Sequence, residues 1–203
     1  MAVQAGIYRG LSAEERAAER RVRLLQATLA VWADPEVRTT MTAICAEAGL
    51  SERYFYESFV GLDEALTAVL DNVATEIETV TMAAVQAAGD DPTARVHASI
   101  QAFVQLLVDD PRKGRVAIIE ATSIPALRQR RTELLRHLAH RSAEQAQTQL
   151  GLATRGGRED EIAGLLFIGG MAELITAWLD GALEASADEI VAAAAHGFLG
   201  VYG

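Results

Sequence analysis

The chain has a single cysteine, Cys45, in 203 residues, so no disulfide can close within it and no set of thiolates can hold a metal. Only 4 prolines and 16 glycines interrupt a chain rich in Ala, Leu, Glu and Arg, which favours helices joined by short breaks over sheet. No run reads as the roughly 18 apolar residues of a membrane span. Residues 1–10 lack the basic start and apolar stretch of an export signal. A cytoplasmic protein with no membrane partner is expected. Nor does a nucleophile stand at short range from a base, so no catalytic residues and no enzyme are expected. His137 and His140 lie three apart, as metal ligands can, yet only Glu133 or Glu144 stands near to complete a set. Neither metal nor cofactor is expected.

Positive charge is also in short supply. The 18 basic residues face 28 acidic ones, a net charge of −10 that taken whole argues against a nucleic-acid partner. The distribution weakens that argument. Residues 1–60 hold 7 Arg, no Lys and 8 acidic residues, a net of −1, whereas residues 61–203 hold 11 basic and 20 acidic residues, a net of −9.

With 50% apolar residues, a chain of this length can bury a real core. Local signals divide it into helices. Ser12 and Glu15 form a capping pair for a first helix to about Trp32, which Asp34-Pro35 ends. Thr40 or Thr42 can cap a second short helix bearing Ile44, Cys45 and Ala48, Gly49 allows a sharp turn, and Ser51 can cap a third. From Gly61, apolar residues at Leu66, Val69, Leu70, Val73, Ile77 and Val80 repeat every three or four positions in a long helix. Asp91-Pro92 and Asp110-Pro111 are cap and first-turn pairs. A segment through Val116 to Glu120 precedes a long helix from about Ala126 to Gln149, and Arg155 to Arg158 read as a polar loop. Two apolar helices close the chain, Glu159 to Leu179 and Ala187 to Tyr202, the second with a Ser186/Glu189 capping box. Their stripes are Ala163, Leu166, Phe167, Gly170, Met171, Leu174 and Trp178 on one, and Ile190, Ala194, Gly197, Phe198 and Val201 on the other. Both suit burial against a second copy of the chain, a homodimer through the last two helices.

The stretch Thr40 to Phe59, TMTAICAEAGLSERYFYESF, reads as two short helices about a tight turn, with Ile44, Cys45, Leu50 and Phe55 as anchors and the polar residues of the second helix facing outward. That is the plan of a helix-turn-helix, whose second helix enters the DNA major groove. The segments Met41-Thr42-Ala43-Ile44, Ala48-Gly49-Leu50-Ser51 and Tyr56-Glu57-Ser58-Phe59 resemble the supporting helix, turn and recognition helix of the TetR family of transcriptional regulators.

The resemblance implies an all-α protein: a three-helix DNA-binding domain, residues 1–60, followed by a helical ligand-binding and dimerisation bundle, residues 61–203. It implies a repressor that binds a palindromic operator in double-stranded DNA as a dimer and is released by a small hydrophobic effector. By position, Ser51, Arg53 and Tyr54 are the candidates for base edges, and Thr40, Thr42 and Tyr56 for phosphates. Arg53 can donate to guanine O6 and N7, and hydroxyls and helix-start N–H groups suit phosphates. Where the family often carries a lysine, three residues after the phenylalanine, this chain has Leu62, followed by Asp63-Glu64. Phosphate contacts are therefore expected from Arg9, Arg16, Arg20, Arg21, Arg23 and Arg38. The expected effector-lining residues are Phe103, Leu107, Ile118, Leu127, Leu134, Leu138 and Trp178, with Glu120, His97, His137 and His140 as candidate polar groups. An alternative stays open: a helical interaction protein derived from such a regulator, with weak or no DNA binding.

Overall fold

A computed structural model of the chain describes residues 12–150 and 157–202, and every regular element among them is helical. Arg9, Arg155 and the glycine after it lie outside the described residues. The chain divides into two compact units, Met1–Ala65 and Leu66–Gly203.

The first unit contains α1 (Ala13–Ala33), α2 (Met41–Ala48), α3 (Glu52–Ser58) and the first turn of α4 (Leu62–Ala87). Its boundaries are set by local chemistry. Ser12 accepts from the Glu15 N–H at 3.1 Å while the Glu15 carboxylate accepts from the Ser12 N–H at 2.6 Å. Those two bonds hold the Glu15 pKa below the usual carboxylate range. Asp34 turns extended ahead of Pro35 and stops α1. Thr40 caps α2 by accepting from the Ala43 N–H at 3.1 Å. Ser51 stands at the start of α3 but its hydroxyl makes no capping bond, against expectation. The three helices close over Leu24, Ile44 and Phe55, all fully buried, with Trp32, Cys45 and Phe59 beside them. A side chain such as Phe55 contributes about 1.5–3 kcal/mol by leaving water. Thr28, also buried, stays satisfied by donating its hydroxyl to the Leu24 carbonyl at 2.7 Å. Burial pushes the Cys45 thiol pKa up, and the nearby Glu52 charge adds to it, so the sulfur stays protonated and unreactive.

The second unit continues α4 and adds α5 (Pro92–Asp109), α6 (Pro111–Gly114), a π-helical segment (Arg115–Glu120), α7 (Ala121–Ser123), a 3₁₀ turn (Pro125–Leu127), α8 (Arg128–Leu150), α9 (Gly157–Leu179) and α10 (Ala187–Tyr202). Asp91 caps α5 ahead of Pro92, and Ser186 with Glu189 boxes the start of α10. The long helix begins later than expected because Pro125 sets a tight 3₁₀ turn first, and Leu127 belongs to that turn. The helix expected from Glu159 begins at Gly157, so Arg158 is helical rather than part of a loop.

The core of this unit joins Val96, Ile100, Val104 and Leu107 of α5 to Ile175 of α9 and to Ile190, Val191, Ala194 and Phe198 of α10. Phe198 meets Phe167 edge-on at 5.0 Å between ring centroids. This corrects the sequence reading of the last two helices. Ile190, Ala194 and Phe198 face the chain's own core, and Ala163, Phe167, Met171, Leu174 and Trp178 pack against it. What α9 leaves outside is a different stripe: Ile162, Leu165 and Leu166, with the exposed Gly169 and Gly170. α10 leaves out Ala192, Ala193, His196 and Gly200. A second correction concerns hydropathy. α9 is long and apolar enough to cross a membrane, with a mean hydropathy of 1.8, because Glu173 is the one charge between Ile162 and Leu179. In this fold its inner side is committed to the bundle through Gly164 and Ile175, both buried.

Gly164 lets α9 touch the backbone of α8. A Cβ added there would lie 2.5 Å from the Ala139 carbonyl oxygen, and that atom cannot swing aside as a side chain would. Gly164→Ala is expected to cost about 1–3 kcal/mol as overpacking. A thermal melt would show it as a fall of a few degrees in Tm, and an unchanged Tm would refute the close approach.

Polar pairs mark how α4 lies against its neighbours. Asp71 meets Arg130 at 2.7 Å and Glu78 meets His137 at 2.8 Å, so residues seven apart on α4 meet residues seven apart on α8, and the two helices run side by side in the same direction. Glu76 reaches Lys113 of α6 at 2.7 Å.

Candidate nucleic-acid interface and ligand cavity

The turn between α2 and α3 depends on Gly49. Its φ of 61° and ψ of 37° put it in the left-handed region, which costs a residue with a Cβ roughly 1–2 kcal/mol. The Gly49 N–H donates to the Ala46 carbonyl at 3.1 Å and the Leu50 N–H to the Cys45 carbonyl at 3.0 Å, the two bonds of a Schellman stop. The chain then leaves α2 at a fixed angle, and α3 is set by it.

Three arginines of α1 lock that arrangement. Arg23 donates to the Ala48 carbonyl at 2.6 Å, at the end of α2. Arg21 donates to the Ser58 carbonyl at the end of α3 and lies over the Phe59 ring at 4.4 Å. Both guanidinium groups satisfy carbonyls that the helix ends leave without partners and set positive charge at the negative ends of the helix dipoles. Arg20 lies over the Tyr54 ring at 4.5 Å and meets Glu57 at 3.6 Å. The sequence reading sent these three arginines to phosphates, whereas the structure engages them inside the unit.

α3 is anchored by Phe55, and its ring meets Tyr56 at 5.9 Å and Phe59 at 5.5 Å. On the outer side, the Arg53 side chain is 84% exposed and Tyr56 is 59% exposed. Arg53 rests on Glu57 at 3.0 Å one turn along, an exposed pair that holds it only weakly. Ser51 and Thr42 are exposed and Thr40 is half-buried by its capping bond. Tyr54 is half-buried under Arg20. Of the six residues carried over by position, Thr42, Ser51, Arg53 and Tyr56 therefore lie open, while Thr40 and Tyr54 are partly engaged. Arg38 is exposed as well. At the start of α4, the Glu64 carboxylate accepts from the Val60 N–H at 2.5 Å, so acid caps this helix where the family resemblance led us to look for a cation.

The second unit holds a cavity of about 220 Å³ between α4, α5, α8 and α9. Phe103, Ile118, Leu134 and Leu138 line it, as the sequence suggests. Leu107, Glu120, Leu127 and Trp178 do not. Leu107 and Leu127 are buried in the packing of the unit, Glu120 pairs with Arg115 at 3.2 Å, and the Trp178 indole N–H donates to the Ala185 carbonyl at 2.9 Å. His97 is exposed, and His137 and His140 are taken up by Glu78 and Glu144. Sequence periodicity assigned Leu70 and Ile77 of α4 to an ordinary apolar face, and they prove to be cavity wall. No metal-binding cluster of His, Cys, Asp and Glu occurs among the described residues.

This architecture, a three-helix head followed by a helical bundle, is similar in fold to solved structures of TetR-type regulators. The fold matches a TetR-like transcriptional regulator from Rhodococcus sp. RHA1, with a TM-score of 0.69, 16% identity, and 94% of this chain and 97% of that one covered. It matches the fatty acid degradation regulator FadR from Bacillus halodurans, with a TM-score of 0.75, 16% identity, and 89% and 95% covered. A TetR family transcription regulator from Marinobacter aquaeolei VT8 gives a TM-score of 0.65 at 20% identity, with 93% and 97% covered. No family model matches the chain, and no curated protein matches it in sequence. At these identities the likeness is one of fold.

Proposed function

We propose that the chain is a DNA-binding transcriptional regulator of the cytoplasm, in which residues 1–60 read an operator and residues 61–203 dimerise and bind an effector. The observation that carries this reading is the construction of α3: Phe55 and the arginines of α1 fix it from beneath, while Arg53 and Tyr56 stand clear on the outside. A short helix held that firmly, with a cation and a phenol outward, fits a major groove. Arg53 and Ser51 read base edges, and Tyr56, Thr42 and Arg38 meet or approach the phosphates.

The exposed stripe of α9 supports the dimer. Ile162 is 59% and Leu166 65% exposed, beside glycines with nothing near their Cβ positions. The outer face of α10 offers alanines and a glycine that allow close approach. Two copies packed there by a two-fold axis present two copies of α3 to a palindrome with half-sites about 34–36 Å apart or a multiple of that.

The apolar cavity takes the effector. α4 forms one wall and its first turn belongs to the head, so a ligand that favours one placement of α4 shifts the population between DNA-competent and DNA-incompetent states. Bound at an operator, the dimer blocks polymerase.

Fluorescence anisotropy against duplexes covering the DNA beside the gene tests the reading. One duplex should be preferred over competitor DNA, and Arg53→Ala should weaken that duplex by about 1–3 kcal/mol with the helical content unchanged. Absence of any preferred duplex would leave the interaction-protein alternative, which the Arg53–Glu57 pair and the acid at the start of α4 favour.

A further inference from the structure

The cavity wall is apolar except at a few points, and its charges are unequal. Glu78, the carboxylate of the lining, is bonded to His137 at 2.8 Å, and Arg141 is paired with Glu144 at 3.2 Å. Arg131 lines the same cavity, is half-buried, and has no hydrogen-bonding or ionic partner among the described residues. None of its guanidinium nitrogens is sealed from solvent, so the group is hydrated until a ligand oxygen takes the place of that water. Its fork matches the paired oxygens of a carboxylate or phosphate.

The rest of the wall sets the shape of that ligand. Arg131, Leu134, Leu135, Leu138, Ser142 and Gln145 follow the three-and-four spacing of one face of α8. That face spans roughly 20 Å at 1.5 Å per residue. Leu70, Ala74 and Ile77 of the parallel α4 flank the Arg131 end and the middle of this face, and Phe103 and Phe167 close it from α5 and α9. The cavity is therefore elongated and greasy, with one unanswered cation toward one end.

We infer that the ligand of this cavity is an anionic amphipath, a flexible hydrocarbon chain ending in an oxyanion head that Arg131 grips. This rests on the reading of the cavity as an effector site and narrows the apolar compound of that reading to one with a charged end.

Titration calorimetry on the intact protein with dodecanoate, dodecyl phosphate and dodecanol separates the head from the chain. A hydrogen bond to a charged group adds about 1.5–3 kcal/mol, so at least one of the two anions should bind tenfold or more tighter than the alcohol. The stronger of the two identifies the head as carboxylate or phosphate. Arg131→Gln should erase the difference while leaving the alcohol unchanged, and Arg141→Gln should preserve it. Equal binding of alcohol and acids by the unaltered protein would overturn the inference without any variant having to fold. So would an anion preference that survives Arg131→Gln. The same compounds added to the operator complex test the parent reading separately. If the anion binds through Arg131 and the DNA complex is unmoved, the amphipath stands and the effector role falls. If the alcohol alone releases DNA, the effector role stands and Arg131 is not its anchor.

Discussion

Phe55→Ala is expected to unfold the head of the protein. The side chain is fully buried, packs edge-on to Tyr56 and tilts against Phe59, and is the anchor of a helix only seven residues long. Truncating a buried phenylalanine to alanine costs about 3–5 kcal/mol. A three-helix unit of this size has little more to lose, since small domains bury a smaller share of their surface. Thermal melts followed by circular dichroism should show an early loss of helix in the variant, and operator binding should disappear with it. The neighbouring Tyr56→Ala makes the control. Tyr56 is more than half exposed, so its removal should cost only the edge-on ring contact, about 1 kcal/mol, while still weakening DNA binding. If Phe55→Ala melted like the unaltered protein, Phe55 would not be the anchor described.

The second large effect concerns the outer face of α9. Leu166→Arg should convert the dimer to a monomer, because Leu166 is 65% exposed in the single chain and a charge there would be buried without a partner at a two-fold interface. Its side chain carries no core packing, so the monomer itself should stay folded. The loss at the operator should be a hundredfold or more, since each half-site then binds without the effective concentration that linkage to its twin provides. Analytical ultracentrifugation with anisotropy on the same samples reads both. A variant that stayed dimeric would move the interface elsewhere. An unaltered protein that sedimented as a monomer would remove it.

What the sequence made legible was local. The Ser12/Glu15 and Ser186/Glu189 boxes, the Thr40 cap, the glycine turn and the Asp-Pro starts each involve residues within a few positions, and their chemistry can be read without knowing the fold. The arginines of α1 were not legible in this way. Arg21 meets a carbonyl 37 residues away and Arg23 one 25 residues away, and no spacing in the sequence announces a guanidinium bound for a distant helix end. The faces of α9 and α10 were misassigned for another reason. Both helices are apolar nearly all round, so periodicity shows that they bury surface but not which side faces the core and which a neighbour. The cavity was half legible for the same cause. Phe103, Ile118, Leu134 and Leu138 were found, while Leu107 and Leu127 look identical in sequence and lie in solid packing. Arg131, one charged residue among several on α8, became distinctive only when it was seen to line the cavity, where Glu78 and Arg141 are paired and it is not.

The use of Arg20, Arg21 and Arg23 as internal fasteners has a kinetic consequence. Carbonyls and rings fix where the charges of Arg21 and Arg23 sit, Glu57 offsets that of Arg20, and with a net charge of −1 over residues 1–60 the head exerts little long-range pull on a duplex. On the proposed reading of the head, such a protein does not linger on arbitrary DNA or scan along it for long. That reading has it search by repeated short collisions through solution, its hold on a site decided after docking by how slowly it leaves.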